Sequence, residues 1–151
     1  HGTWHLKASK NSTERYVQLS RQCISFLRNL YKLEQDYLFA SPRTGLPIQQ
    51  KTLTERKWQM KNPDKTLANF RPEQLWLTDI DDWNPHDLRR TVRTGLSRLG
   101  CPTDVAEAIL GHSKKGIEGT YNLHNYEAEC ADWLQKWADY LDGIMNSNFR
   151  E

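Results

Sequence analysis

The 151-residue chain has no run approaching the roughly eighteen consecutive apolar residues that a membrane-spanning helix needs, which argues against membrane insertion through a helix. Cysteine is scarce: Cys23, Cys101 and Cys130 are widely separated and odd in number. That pattern gives neither a disulfide framework nor metal-ligand spacing, and reduced thiols in a cytoplasmic compartment are the expectation. The opening His1-Gly2-Thr3-Trp4 has neither the basic leader nor the apolar segment of a signal peptide, and it lacks an initiator methionine. A fragment of a longer protein is the expected reading. There are no internal repeats and no low-complexity tracts. No carboxylate cluster has metal-binding spacing, so no metal or cofactor is expected. The length and the 37% hydrophobic content fit one globular domain, residues 1–151.

Charge is plentiful but unevenly placed. The formal net charge is only +2. Residues 1–32 carry six Lys/Arg against one acid, residues 51–71 six against two, and residues 86–115 six against three. Residues 72–85 and 116–151 carry net charges of −4 and −5. Basic blocks set apart from acidic ones suit a protein that turns one face toward a polyanion. An unevenly charged solvated surface is the plain alternative.

Two β-prone runs, 3–7 and 15–19, flank a polar stretch, 8–14, and predict a β-hairpin with a basic tip. Ser20 is placed to cap a helix whose apolar stripe is Cys23, Ile24, Leu27 and Leu30. A turn-rich connection over 39–45 and a helix over about 49–60 follow, and 61–83 has no clear assignment. Asn84 then suits an N-cap, Pro85 the first helical position, and Asp87 the positive end of the helix dipole. On that helix Leu88, Val92, Leu96 and Leu99 form one stripe, while His86, Arg89, Arg90 and Arg93 form another. Gly100 ends it. A short helix over 102–110 points Val105, Ala108 and Ile109 inward and stops at Gly111. A last helix, about 127–143, has Leu134, Trp137, Ala138 and Leu141 on its apolar face, with Trp133 nearby. The expected fold is α+β and mostly α-helical: a small N-terminal β-hairpin packed on a helical bundle.

One constellation carries chemistry. His86-Asp87-Leu88-Arg89-Arg90-Thr91 is followed by Leu110-Gly111-His112, and Tyr121 comes nine positions after that histidine. An arginine can neutralise a phosphate, histidines can hydrogen-bond its oxygens or move protons, and a phenolic oxygen can attack. Each element alone is a weak motif; their order and spacing make the set specific. Lys114 and Lys115, beside His112, extend the basic block and are DNA-contact candidates with Lys7, Arg90 and Arg93.

The same run resembles the catalytic domain of tyrosine recombinases, nearest to phage- and island-type integrases. The likeness extends to the hairpin, where Trp4-His5-Leu6, Lys10 and Tyr16-Val17-Gln18-Leu19-Ser20 are similar to the family's strand–lysine–strand segment. Gln18 stands where proline is frequent. The resemblance implies site-specific integration or excision in a bacterial or phage setting, without a cofactor. Tyr121 would be the nucleophile that becomes joined to a DNA 3′-phosphate, and Arg89 would clamp the scissile phosphate. His86 would aid proton transfer or orient the phosphate, and His112 would hydrogen-bond a non-bridging oxygen. Lys10, with Lys7 as the alternative, would protonate the leaving 5′-oxygen. Double-stranded DNA, a homotetramer on DNA and accessory DNA-bending proteins are the implied partners. A C-terminal helix can dock on a neighbouring protomer in such assemblies; packing on its own domain is the plainer expectation here.

The family's second phosphate-binding arginine lies ahead of the lysine hairpin, and no counterpart precedes Trp4. The 151 residues alone are therefore expected to cleave DNA feebly or not at all. Other readings stay open. The helices over 86–99 and 102–110 could form a non-catalytic helix-turn-helix that binds phosphates through Arg89, Arg90 and Arg93. A type IB-like topoisomerase would use the same tyrosine chemistry without site selection. A protein-interaction domain is the bland alternative. Tyr126, five residues after Tyr121, is the rival nucleophile.

Overall fold

A computed structural model describes residues 2–8, 14–31, 36–41, 44–49, 51, 52, 55, 58, 83–112 and 126–148. Among them are a two-stranded antiparallel sheet and four helices: β1 Thr3–Leu6, β2 Arg15–Gln18, α1 Arg21–Tyr31, α2 Pro85–Arg98, α3 Thr103–Leu110 and α4 Glu127–Asn148. The fold is the expected mostly helical α+β arrangement. None of these helices is long and apolar enough to cross a membrane. The chain divides into two compact units, His1–Leu33 with Thr91–Glu151, and Glu34–Arg90.

In the first unit β1 and β2 pair with Thr3 opposite Gln18, Trp4 opposite Val17, His5 opposite Tyr16 and Leu6 opposite Arg15. The alternation of a strand puts His5 and Tyr16 on one face, where their rings stack at 4.6 Å. His5 Nε2 also meets Glu14 Oε1 at 2.5 Å, just ahead of β2. The chain then turns into α1, whose first free amides are met as the sequence predicts: the Cys23 N–H donates to Ser20 Oγ at 3.2 Å. Gly2 leaves room for α1, since a Cβ there would stand 2.7 Å from Ile24 Cγ1.

The core lies where α2, α3 and α4 meet. Leu96, Cys101, Val105, Ala106 and Cys130 are buried, with Val92, Ala108, Ile109, Tyr126, Trp133 and Trp137 packed around them. Gly95 makes the α2–α4 approach possible: a Cβ at that position would lie 2.1 Å from Trp137 Cζ3. So Trp133 and Trp137, and the first half of α4 that bears them, pack on their own domain. The helix runs five residues past the expected end at Gly143 to Asn148, and over its last turns Tyr140, Leu141, Ile144 and Met145 are exposed, although Leu141 was expected on the apolar face. β2 and α3 both pack on α4. A polar seam joins α1 to α4: Gln22 Nε2 donates to Asp139 Oδ1 and Asp142 Oδ2, each at 2.8 Å, and Gln135 Nε2 donates back to Gln22 Oε1 at 3.0 Å.

An expected core position on α2 is also corrected. Leu88 is 59% exposed. Of the expected stripe on α2, Val92 and Leu96 join the core, and Leu88 falls in the other unit, a turn before Val92.

In the second unit a tight loop closes by the Ala40–Pro47 bridge, with Ser41 N–H donating to Leu46 O at 2.7 Å. Gly45 holds φ +68°, a left-handed turn conformation that costs glycine little. The expected helix over 49–60 is described only in part, at Gln49, which is not helical, and at Lys51, Thr52, Glu55 and Trp58; Lys51 and Glu55 form an ion pair at 3.0 Å. Residues 61–82 lie outside the described residues.

Candidate active site

The start of α2 explains how a His-x-x-Arg pair comes to be presented. The Asn84 side chain accepts from the His86 N–H at 2.9 Å, and the Asp87 carboxylate accepts from the Asn84 N–H at 2.9 Å. This reciprocal cap satisfies the helix's first donors and sets an anion at the positive end of its dipole. His86, Arg89 and Arg93 then follow at spacings of three and four, which line one side of a helix. His86 is exposed, whereas Arg89 and Arg93 are half-buried. Arg90 is exposed and reaches back to Asp87 at 3.2 Å, a surface pair of little energetic weight.

The end of α3 builds the setting of His112. Gly111 adopts φ +69°, its N–H donates to Ala108 O at 2.9 Å, and the His112 N–H donates to Glu107 O at 3.0 Å. These two bonds form a Schellman stop, which folds the second residue past the helix back onto a residue in its last turn. Here those two residues are His112 and Glu107. Their side chains meet as well: His112 Nδ1 hydrogen-bonds Glu107 Oε2. The other carboxylate oxygen, Oε1, accepts from Arg93 Nε at 2.8 Å, and Arg93 Nη1 donates to Ser97 Oγ. The hydrogen bond from His112, then that from Arg93, holds the Glu107 carboxyl below the usual glutamate range. An ionised carboxylate only accepts, so Nδ1 carries the shared proton and Nε2 is the ring nitrogen left for a ligand.

The hairpin is tied to the same helix end. Arg15 Nη1 lies 3.3 Å from Ile109 O and 3.5 Å from Ala108 O, placing a cation against the carbonyl end of α3. The same guanidinium passes beneath Gly111, where a Cβ would stand 2.1 Å from Nη1. Lys7, just past β1, is exposed. Lys10, Lys114, Lys115 and Tyr121 lie outside the described residues. Tyr126 serves the fold: its ring packs on the core, its hydroxyl donates to Asp104 Oδ2 at 3.2 Å, and its backbone, at φ +54°, turns the chain into α4.

Of the candidate residues, the structure thus gathers Arg93 and His112 on one carboxylate and sets His86 and Arg89 along one helix face. Two contributors escaped the sequence reading. Glu107 carried a readable signal: a helix ending in Leu-Gly-His fixes a Schellman stop, and that stop makes the residue five before the histidine its neighbour. Arg15 carried none, because its partners stand more than ninety residues away.

The chain matches the phage integrase family over residues 1–128 and belongs to it. The match spans the hairpin, His86, Arg89, His112 and Tyr121, and places the chain among the tyrosine recombinases, proteins that recombine DNA. No curated protein and no solved structure matches it.

Proposed function

We propose that this chain cuts and rejoins DNA at specific sites, for integration or excision, through a covalent 3′-phosphotyrosine. The family match across 1–128 carries this reading. Tyr121 supplies the phenolic oxygen that attacks the scissile phosphorus, and the 5′-oxygen leaves as that bond forms. Arg89 neutralises the phosphate, His86 orients it or moves a proton, and His112 engages a non-bridging oxygen or moves a proton through Nε2. Lys10, or Lys7 in its place, gives the leaving 5′-oxygen its proton. A phenol, with a pKa of about 10, attacks poorly until its proton is drawn off or the phosphate is made more electrophilic, and cationic donors do the latter. The phosphotyrosine conserves the energy of the broken bond, so rejoining by the 5′-hydroxyl needs no ATP. Arg90, Arg93, Lys114 and Lys115 add contacts to the DNA backbone, and the protein acts on DNA as a tetramer, with accessory DNA-bending proteins where the site requires them. The structural role of Tyr126 in the core supports Tyr121 as the nucleophile.

The test is a covalent trap. Full-length protein is incubated with nicked radiolabelled duplex and denatured. An adduct that disappears in Tyr121→Phe and persists in Tyr126→Phe is expected. Removing one phosphate-facing donor, as in Arg89→Ala, is expected to slow adduct formation by a factor of about 100 or more. DNA binding without any adduct would favour the helix-turn-helix module instead, and relaxation of supercoiled plasmid regardless of sequence would favour a topoisomerase.

A further inference from the structure

The carboxylate of Glu107 stands between two groups of the candidate site. One oxygen takes the His112 Nδ1 proton and the other takes the Arg93 Nε proton at 2.8 Å, while the backbone carbonyl of the same residue holds the His112 amide at 3.0 Å. His112 is therefore fixed at three points: at its amide by Glu107, at its backbone by the left-handed turn of Gly111, and at its ring by the Glu107 side chain. A solvated histidine at a helix end needs none of this.

We propose that Glu107 is a positioning residue of the active site. Its carboxylate commits Nδ1 of His112, so that Nε2 alone meets the scissile phosphodiester, and it holds the Arg93 guanidinium in register with that ring. The assignment rests on the recombinase reading above for what Nε2 meets; the hold on the ring stands independently of it. The logic is that of any catalytic imidazole whose second nitrogen is tied to an acid: the tie selects the tautomer and the ring plane, leaving one nitrogen for chemistry. Ser97, which accepts from Arg93 Nη1, keeps the guanidinium from swinging away.

A substitution of equal shape separates this from a packing role. In Glu107→Gln one oxygen remains. Arg93 can only donate, so it claims that oxygen, and the amide NH2 turns toward Nδ1. Nδ1 must then accept, and the ring proton moves to Nε2. Two-bond 15N–1H spectra of the 151-residue chain, recorded at a pH where the ring is neutral, read this directly. The wild type is expected to carry its proton on Nδ1 and Glu107→Gln on Nε2. Adding Arg93→Met to Glu107→Gln frees the amide oxygen, which is expected to return the proton to Nδ1. A wild-type ring protonated on Nε2, or a tautomer that ignores Glu107→Gln, would overturn the proposal.

The second measurement is single-turnover adduct formation by full-length protein on a pool of nicked duplexes randomised around the nick. Glutamine leaves the neutral Nε2 without the lone pair that takes a proton, and it removes the negative charge that offsets a positive ring, so Nε2–H gives a proton less readily and bonds a non-bridging oxygen without charge assistance; the step slows in each case. A rate at saturating DNA at least tenfold below wild type is expected, with a smaller change in DNA affinity and only a small drop in melting temperature at neutral pH. An unchanged rate would overturn the positioning role. Absence of any adduct in the wild type would instead remove the recombinase reading, with the 15N spectra still deciding the hold on His112.

Discussion

At the scale of the residue, small changes in side-chain volume decide the core. Leu96 is fully buried, and its neighbour Gly95 gives up its side chain so that Trp137 can lie against α2. Removing three carbons from Leu96 forfeits their burial and leaves a void that the tryptophan and α3 fill only in part. Leu96→Ala is expected to cost about 3 kcal/mol, read as a lower urea midpoint with an unchanged slope. The buried thiols follow the same logic. Burial, then the neighbouring Cys101, pushes Cys130 up to about 11, and burial raises Cys101 as well. Both are protonated core groups at neutral pH, so their place in the sequence says more about packing than about redox chemistry.

At the scale of the element, local rules were readable and long-range ones were not. Ser20 and Asn84 cap their helices as their residue types and positions indicate, and Gly100 and Gly111 both take left-handed conformations at helix ends. The Leu-Gly-His sequence told where the helix stops. It did not tell that Arg15, from a strand far away in the chain, would lie under that glycine. Leu88 misled for the related reason that a stripe of apolar residues says which side of a helix is apolar, not how far along a partner covers it. The end of α4 was misjudged similarly, since Gly143 is tolerated within it. Of the candidate site, His86, Arg89, His112 and Tyr121 were picked out by their order and spacing, and the structure describes the first three; Glu107 was passed over because a glutamate in a short helix looks like surface charge. Gly111→Ala tests the helix-end account. It places a Cβ at positive φ and against Arg15, so a loss of about 1 kcal/mol or more is expected, together with a shifted His112 ring signal. A stability equal to wild type would show that the stop tolerates a side chain.

At the scale of the whole molecule, the charge pattern and the acid response bear on function and stability. Glu107 and Asp139 both have carboxyls held below their ordinary range, the first by His112 and then Arg93, the second by Gln22 and then Gln135. A depressed folded pKa means the unfolded chain binds the proton more readily. Their contributions are therefore complete at neutral pH, begin to fall near the ordinary carboxylate value of about 4, and are lost below the lower folded values. Melting temperature is expected to drop on that acid limb, and Glu107→Gln to flatten it. Basic blocks in a chain of net charge +2 suit a DNA face that acts locally rather than through overall charge. The most direct measurement digests the trapped protein–DNA adduct with protease and nuclease and locates the nucleotide remnant by tandem mass spectrometry. A remnant on the phenolic oxygen of Tyr121, attached through a 3′-phosphate, is the expected result. A remnant on Tyr126 or any other side chain, or attachment through a 5′-phosphate, would contradict it.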